Sequence, residues 1–494
     1  MPPHILLLLT DQFRYDSWSP TLTPNLHSLA TSGVNFPHAY ASTPTCTPSR
    51  SGILTGRSPW NHGMLAYNSE IDCEAYPTTI PEVLSQAGYK SYVSGKDHFG
   101  THDDGTPVTH GYEHLSLYDG LTEENDDYDQ FFDAKMPGEN PKATCDLDWN
   151  MWAACPYVYD ESLHPTAWTT DTAIDYMDAF FSNSTSADSS MFLKLSYHRP
   201  HSPYDPPARL FDRFLNDSSL VPDRFVNNTS WDSAYFQNFT TDPEEMNKSA
   251  WNGDPGEEAA RHTRAGYLAS IAFVDEGVGR VLEYLENNNL RDDFFILWAA
   301  DHGDMNGDHN LWRKGYPWEA SARVPFVISP DKNTRATAPG TVSKGVVEMR
   351  DIAPTLFDVA GVLGEVQAAD PMMNGASLLG LLSGEEETVR DFVDMEHGQL
   401  YDEKVHWSGL VDAEMKFIFN AFDASMQLFN LTADPNETHD LAPLEEYADE
   451  LEKWRSRMVK QFQEEGRGED WVSAEGELVQ RAQSTTLGPN YPCL

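Results

Sequence analysis

Short unbroken apolar runs punctuate the first two thirds of the chain: HILLLLT (4–10), KSYVSG (90–95), MFLKLSY (191–197), FFILWAA (294–300) and VPFVIS (324–329). Each is bounded by polar residues or by Gly and Pro, and none alternates as a strand with one wet face does. This is the pattern of strands buried on both sides. Between them fall stretches with helical spacing. TPNLHSLATSG (23–33) offers Thr23 as N-cap, Pro24 in the first turn and Gly33 as a stop. From about 263 to 288, Leu268, Ile271, Val274, Val278, Val281, Leu282 and Leu285 recur three and four residues apart. The alternation predicts an α/β fold with a large, mostly parallel central sheet flanked by helices.

Residues 200–262 are polar, acidic and aromatic without a clear period, and read as a surface excursion that rims a pocket. After GEEETVRD (384–391) the pattern changes to shorter strand-like pieces, KFIFNAF (416–422) and MQLFNL (426–431), followed by a helix from about 444 to 465. This places a catalytic domain at 1–384 and a smaller C-terminal α+β domain at 385–494.

Charge narrows the function. The 494 residues carry 33 Lys+Arg against 78 Asp+Glu, a formal charge of −45, which repels nucleic acid and anionic membrane and leaves an anionic substrate only a local basic site to enter. The apolar ILLLL (5–9) is far short of the ~20 residues of a membrane span and lacks the flanks of a signal peptide, so it reads as a strand. N-x-S/T sequons at Asn183, Asn216, Asn227, Asn228, Asn238, Asn247, Asn430 and Asn436 favour a secretory, glycosylated protein. An Asn- and Ser-rich surface produces the same triplets by chance, and without a visible signal a cytoplasmic location stays open. Of five cysteines, four remain once Cys46 is set aside, enough for two disulfides of undetermined connectivity. Oligomeric state leaves no signature.

In open α/β sheets ligands bind beyond the carboxyl ends of the strands. Those ends read Asp11-Gln12, Lys96-Asp97-His98, His198-Arg199-Pro200-His201 and Asp301-His302-Gly303-Asp304. Singly each is an ordinary turn former or a satisfied histidine. Together they gather oxygen and imidazole donors that suit Ca²⁺, Mg²⁺ or Mn²⁺ rather than a structural zinc. DMNGDH (304–309) lacks the spacing of a calcium loop and reads as a turn. Cys46, in TPTCTPSRSGILTGR (43–57), precedes a helix and sits near arginine, two features that lower a thiol pKa. Read alone it is either a nucleophile or a small buried residue at a turn. No P-loop, H-E-x-x-H or G-x-S-x-G is present.

Cys46-Thr47-Pro48-Ser49-Arg50, followed by Leu54-Thr55-Gly56-Arg57, resembles the C-x-P-x-R…L-T-G-R signature of type I sulfatases of the alkaline phosphatase superfamily. ILLLLTDQ is similar to that family's first metal-binding strand, GKDHFG to its G-K-x-H-x-G block and YHRPHSPY to its H-x-P-H-x-P block. DHGDMNGDHNLWRKGYPWEASARVP is similar to its second metal and lysine block, and LFNLTADPNETHDLA to its C-terminal domain. The resemblance spans nearly the whole chain. It implies that Cys46 is oxidised to formylglycine (3-oxoalanine) by a separate formylglycine-generating enzyme, and that Asp11, Gln12, Asp301 and His302, with the modified Cys46, hold one divalent cation, commonly calcium. It further implies that Arg50 and Lys96 steady the aldehyde hydrate and the sulfate, that His98 takes the proton that releases sulfate, and that His201 and Lys314 contact sulfate and protonate the leaving alcohol. Asn68 would be a further sulfate contact.

The chain departs from the family in two places: Asp11-Gln12 where many members have two aspartates, and His302 where they have asparagine. One carboxylate fewer bears on which metal is held. Rival readings are a phosphonate or phosphodiester hydrolase of the same superfamily, and an inactive protein that binds sulfated glycans. Lys96 and His98 favour sulfate monoesters. The expected substrate is a sugar or small aryl ester with one terminal sulfate in a narrow basic pocket, its specificity set by 101–135, 200–262 and the C-terminal domain.

Overall fold

A computed structural model describes residues 2–120, 126–142, 144–183, 189–217, 219–221, 226, 242 and 246–494. Its central layer is an eight-stranded sheet in the order Thr341–Val342, Val34–Asn35, Phe326–Ser329, Phe294–Ala300, His4–Asp11, Ser190–Pro200, Tyr89–Gly95, His114–Leu117. His4–Asp11 runs parallel to both neighbours, and Tyr89–Gly95 runs parallel to Ser190–Pro200. The carboxyl ends of these four strands therefore share one edge. Phe326–Ser329 alone among the apolar runs is antiparallel to its neighbours.

The unbroken apolar runs follow from burial on both faces. Every residue from Ile5 to Leu9 is at most 1% exposed, packed between the long helix Glu257–Asn287 and helices Pro24–Ser32 and Pro165–Ser182 on one side and the Ile352–Val359 region on the other. VPFVIS does not form one strand. Pro325 offers no N–H, and the chain divides there: Arg323–Val324 pairs with Ala39–Tyr40 in a small second sheet, while Phe326–Ser329 joins the main one. Thr23 stands at the helix start without capping it, because its hydroxyl donates to Ser19 O and accepts from Ser19 N–H.

Of the expected excursion 200–262, much of 218–245 lies outside the described residues, and a helix lies on either side of it. Ala208–Asn216 is a helix whose Leu210, Phe211 and Phe214, three and four apart, are buried against the long helix. That long helix itself starts at Glu257, earlier than its apolar spacing indicates, because its first turn is acidic and solvent-facing. Asn227, Asn228 and Asn238 lie outside the described residues; Asn183, Asn216, Asn247 and Asn436 are exposed, and Asn430 is half-buried.

Beyond residue 392 the architecture changes to an antiparallel sheet of Val393–His397, Trp407–Val411, Met415–Asn420 and Ser425–Asn430. Phe417, Phe419 and Leu428 face the helix Ala448–Glu464 through Trp454, Met458 and Phe462, whereas Ile418 and Phe429 face Tyr40, Tyr316 and Trp318 of the main body. This sheet too is buried on both faces. Disulfides join Cys73 to Cys493 and Cys145 to Cys155, leaving Cys46 as the free thiol.

Candidate active site

Cys46 is the first residue of the helix Cys46–Thr55, all ten residues of which are buried. Proline at the third helical position costs no intrahelical bond, so the turn forms with Cys46 at the positive end of the dipole. The helix is fixed from within. Ser49 Oγ donates to Asp301 O at 2.5 Å, and Thr47 Oγ1 donates to Asn68 O at 2.7 Å. Arg50 reaches across three strand ends: Nε to Asp301 Oδ2 at 2.8 Å, one terminal nitrogen to Lys96 O at 2.9 Å, the other to Asp11 Oδ2 at 3.3 Å.

The two aspartates are therefore divided in their duties. Asp11 Oδ2 is held by Lys96 Nζ at 2.7 Å and by Arg50, and Asp301 Oδ2 by Arg50. Their Oδ1 atoms turn to a common point, each 3.7 Å from His302 Nε2. His302 Nδ1–H donates to Gly303 O at 2.9 Å, which leaves Nε2 as a bare donor to that same point, 3.3 Å from Cys46 Sγ. Donor atoms of Asp11, Cys46, Asp301 and His302 all lie within 4.8 Å of one another. Two inward carboxylate oxygens and an imidazole nitrogen are a donor set that fits a hard or borderline dication. Gln12 stands beside them in left-handed backbone (φ 66°), with Oε1 accepting from Lys314 Nζ at 2.9 Å and Nε2 donating to Asp304 Oδ2 at 2.6 Å.

Cations close on the sulfur from the other side. Lys314 Nζ is 3.2 Å and Lys96 Nζ 3.9 Å from Cys46 Sγ. Burial and the charge of Asp11 both work to raise the thiol pKa, but the charges of Lys314 and then Lys96 work against them, and the net effect is to lower it. Burial likewise disfavours ionised Asp11, yet the charges of Lys96 and Lys314 hold its carboxyl well below the usual range. Arg50, Lys96 and Lys314 against Asp11 and Asp301 leave one positive charge, in a chain of net −45. A dication added there makes the spot a strong anion trap.

His98 and His201 each turn one ring nitrogen into the site. His98 Nδ1–H donates to Ser69 O at 3.2 Å and His201 Nδ1–H to Ser202 O at 2.6 Å; the Nε2 of each is buried without a partner among the described residues. Burial first, then Lys96 for His98 and Lys314 for His201, hold both rings well below the ordinary histidine pKa and hence neutral. His98 needs left-handed backbone (φ 61°), secured by Asp119, whose Oδ1 accepts the N–H groups of both Asp97 and His98. Glycine precedes this turn for a steric reason: at Gly95 a Cβ would lie 2.0 Å from Ser196 O. A register shift between Thr10 and Asp11, which pair with Tyr197 and Pro200, loops out His198 and Arg199 and aims the chain so that His201 enters the site.

Asn68 is less central than expected. Its amide nitrogen donates to Glu70 O at 2.9 Å, and its backbone is tied to Thr47 on the Cys46 helix. His198 turns away, its Nε2 packed over Gly120. Sequence reasoning missed Asp119, and it listed Asp304 among the strand-end residues without giving it a role. Asp304 passes for a turn residue in DMNGDH, yet its carboxylate receives Gln12 Nε2, the Tyr204 hydroxyl and the backbone N–H of Arg313. Trp149 and Asn150 also escaped notice; the Trp149 ring stacks on His201 at 5.6 Å. No single motif marks these four, because their roles depend on neighbours distant in sequence.

A buried cysteine at a helix start, two aspartates and an imidazole converging on it, and an excess of lysine and arginine thus meet at the carboxyl edge of an alkaline phosphatase-like fold. The chain belongs to the sulfatase family, whose sequence profile matches residues 3–362, and with it to the sulfuric ester hydrolases; a profile described as the C-terminal part of N-sulphoglucosamine sulphohydrolase matches 307–464. It is 32% identical over 493 residues to an arylsulfatase of Clostridium perfringens (strain 13 / Type A), covering 96% of each chain. Among solved structures it is similar to a phosphonate monoester hydrolase of Silicibacter pomeroyi (TM-score 0.76, 22% identity, 94% of this chain and 96% of the other). It is also similar to a protein solved in complex with its substrate D-glucosamine-2-N,6-O-disulfate (TM-score 0.73, 20% identity, 95% and 99%).

Proposed function

We propose that the protein hydrolyses sulfate monoesters, with Cys46 converted to formylglycine by a separate modifying enzyme and one divalent cation, calcium before magnesium or manganese, held by Asp11, Gln12, Asp301 and His302. The observation that carries this reading is the convergence of metal donors and two lysines on one buried sulfur. When present, the cation adds Lewis-acid polarisation and the formylglycine hydrate an oxygen nucleophile at the Cys46 position. The other steps belong to the chain's own side chains. Lys96 and Lys314 neutralise the sulfate oxygens, and Arg50 keeps both aspartates and Lys96 in register. His98, neutral with a bare Nε2, accepts the proton that must leave the Cys46 position before sulfate is released.

The leaving alkoxide needs an acid. Lys314 carries transferable protons 3.2 Å from the sulfur, whereas His201 has its Nδ1–H committed to Ser202 O and donates from Nε2 only as imidazolium. Lys314 is thus the first choice as proton donor, with His201 orienting the sulfate.

A tryptic peptide containing Cys46, from protein made with the modifying enzyme, should carry the aldehyde mass, and the same preparation should cleave 4-nitrophenyl sulfate until chelator is added. An unmodified thiol in protein from its natural host would favour the inactive glycan-binding reading. The phosphonate hydrolase reading is kept alive by Gln12 and His302 at the metal donors; it gains if a phosphonate monoester turns over faster than the aryl sulfate.

A further inference from the structure

The loop between Cys145 and Cys155, closed by their disulfide, lies over the two residues assigned to the leaving-group side. At one end Cys155 N–H donates to Tyr204 O, and Ala154 bridges Tyr204, three residues beyond His201. In its middle the Trp152 ring packs on Trp312 at 5.0 Å, two residues before Lys314, and its indole N–H donates to Asn247 O at 2.9 Å. The loop thus spans the gap from His201 to Lys314. At its tip Trp149 lies nearly parallel to His201, with ring centroids 5.6 Å apart and 19° between planes, and Tyr67 approaches its other side at 6.3 Å.

Two polar atoms at this tip have no partner among the described residues. The Trp149 indole N–H and Asn150 Oδ1 are both buried, one a donor and the other an acceptor. Buried polar groups left unpaired are costly, so two adjacent ones beside His201 are places where a ligand completes the structure. Asn150 adopts left-handed backbone (φ 67°), a conformation asparagine tolerates better than most residues. With the Trp149 ring packed between His201 and Tyr67, its indole N–H and Asn150 Oδ1 are the groups left for a ligand. A plain aryl or alkyl group would leave both unpaired, whereas the hydroxyls of a sugar ring would meet both.

We propose that the disulfide-closed loop is the subsite for the leaving alcohol, and that Trp149 and Asn150 select a hydroxylated ring, a sulfated monosaccharide unit, over a plain aryl ester. This rests on the sulfatase reading and adds to it the chemistry of the alcohol. A site built to hydrogen-bond a substrate hydroxyl discriminates strongly against analogues that lack it.

The test compares hexose and hexosamine 6-sulfates with 4-nitrophenyl sulfate in the wild type and in Trp149→Phe, Trp149→Ala and Asn150→Gly, the last preserving the backbone conformation. In the wild type at least one sugar sulfate should show the higher kcat/KM. Trp149→Phe keeps the stacking ring and loses only the N–H, so kcat/KM for the sugar sulfate should fall about tenfold further than for the aryl sulfate, mostly through KM. Asn150→Gly should do the same, and Trp149→Ala should lower both substrates. Equal losses for sugar and aryl esters in Trp149→Phe and Asn150→Gly, or an aryl sulfate preferred over every sugar sulfate, would overturn the subsite. Failure of the wild type to cleave any sulfate ester would instead remove the sulfatase reading itself, so the two failures are separable.

Discussion

Two clusters of buried charge lie in this protein, one at the carboxyl edge of the parallel sheet and one where the antiparallel sheet meets the main body. At the junction Lys416 Nζ sits 2.8 Å from both Glu319 Oε1 and Glu437 Oε1, and Arg323 pairs with Glu319 at 3.0 Å. Two cations face two carboxylates there. At the sheet edge three cations face two carboxylates, and two carboxylate oxygens point at the same spot, while the Nε2 atoms of His98 and His201 have no partner among the described residues. Both clusters meet the cost of desolvation by pairing. The junction balances its charge with its own side chains, whereas the sheet edge keeps a surplus positive charge. Surplus charge therefore distinguishes a candidate binding centre from a structural rivet.

This contrast can be broken at both ends. The largest effect is expected from Cys46→Ala, which should lower sulfate ester hydrolysis by at least about 10⁴-fold in steady-state assays, with unfolding free energy changed by no more than roughly 1–2 kcal/mol. Lys416→Ala should do the reverse: stranding Glu319 and Glu437 should cost about 3–5 kcal/mol in urea unfolding, while kcat per folded molecule is retained. Lys96→Ala should lower kcat/KM by roughly 10²–10³-fold. Its loss of stability should be smaller than that of Lys416→Ala, since Asp11 still has Arg50.

Acid sensitivity sharpens the comparison further. Burial, and then the charge of Arg481, push His406 at the edge of the antiparallel sheet down to about 4 from its ordinary 6.5. The unfolded chain takes up this proton first as pH falls, so stability is intact above about pH 6.5 and is withdrawn towards pH 4, at no more than about 1.4 kcal/mol per pH unit. Denaturant midpoints measured from pH 7 to 4.5 should fall less steeply in His406→Gln. The smallest effect is expected from Asn68→Ala, under about tenfold in kcat/KM, because its amide is already engaged by Glu70 O. A larger loss would show that Asn68 turns to the substrate.

Much of this was readable in the linear chain because strand ends are local signals. Asp11, Lys96, His98, His201 and Asp301 each follow directly on an apolar run, and the parallel order of those runs brings them together. What eluded sequence reasoning depends on contacts between distant segments. The division of VPFVIS follows Pro325, but its destination is set by Ala39–Tyr40. The pairing of Cys73 with Cys493 spans 420 residues. Helix Ala208–Asn216 hides in a polar stretch, since three apolar residues suffice when a long helix is there to receive them. Trp149 carries no motif; its place over His201 comes from the docking of Trp152 on Trp312 and of Cys155 on Tyr204.

The enclosure of the Cys46 helix sets a timetable. Cys46 has no exposed surface, and its helix is gripped by Ser49, Thr47 and Arg50 through bonds to three separate strand ends and a loop. A modifying enzyme that must hold the peptide on both sides of that sulfur meets it as free chain only before the helix closes, or during an opening that undoes the helix. On the formylglycine reading, conversion of the cysteine races the closure of the sheet around it, and the active fraction of a preparation is set largely during synthesis.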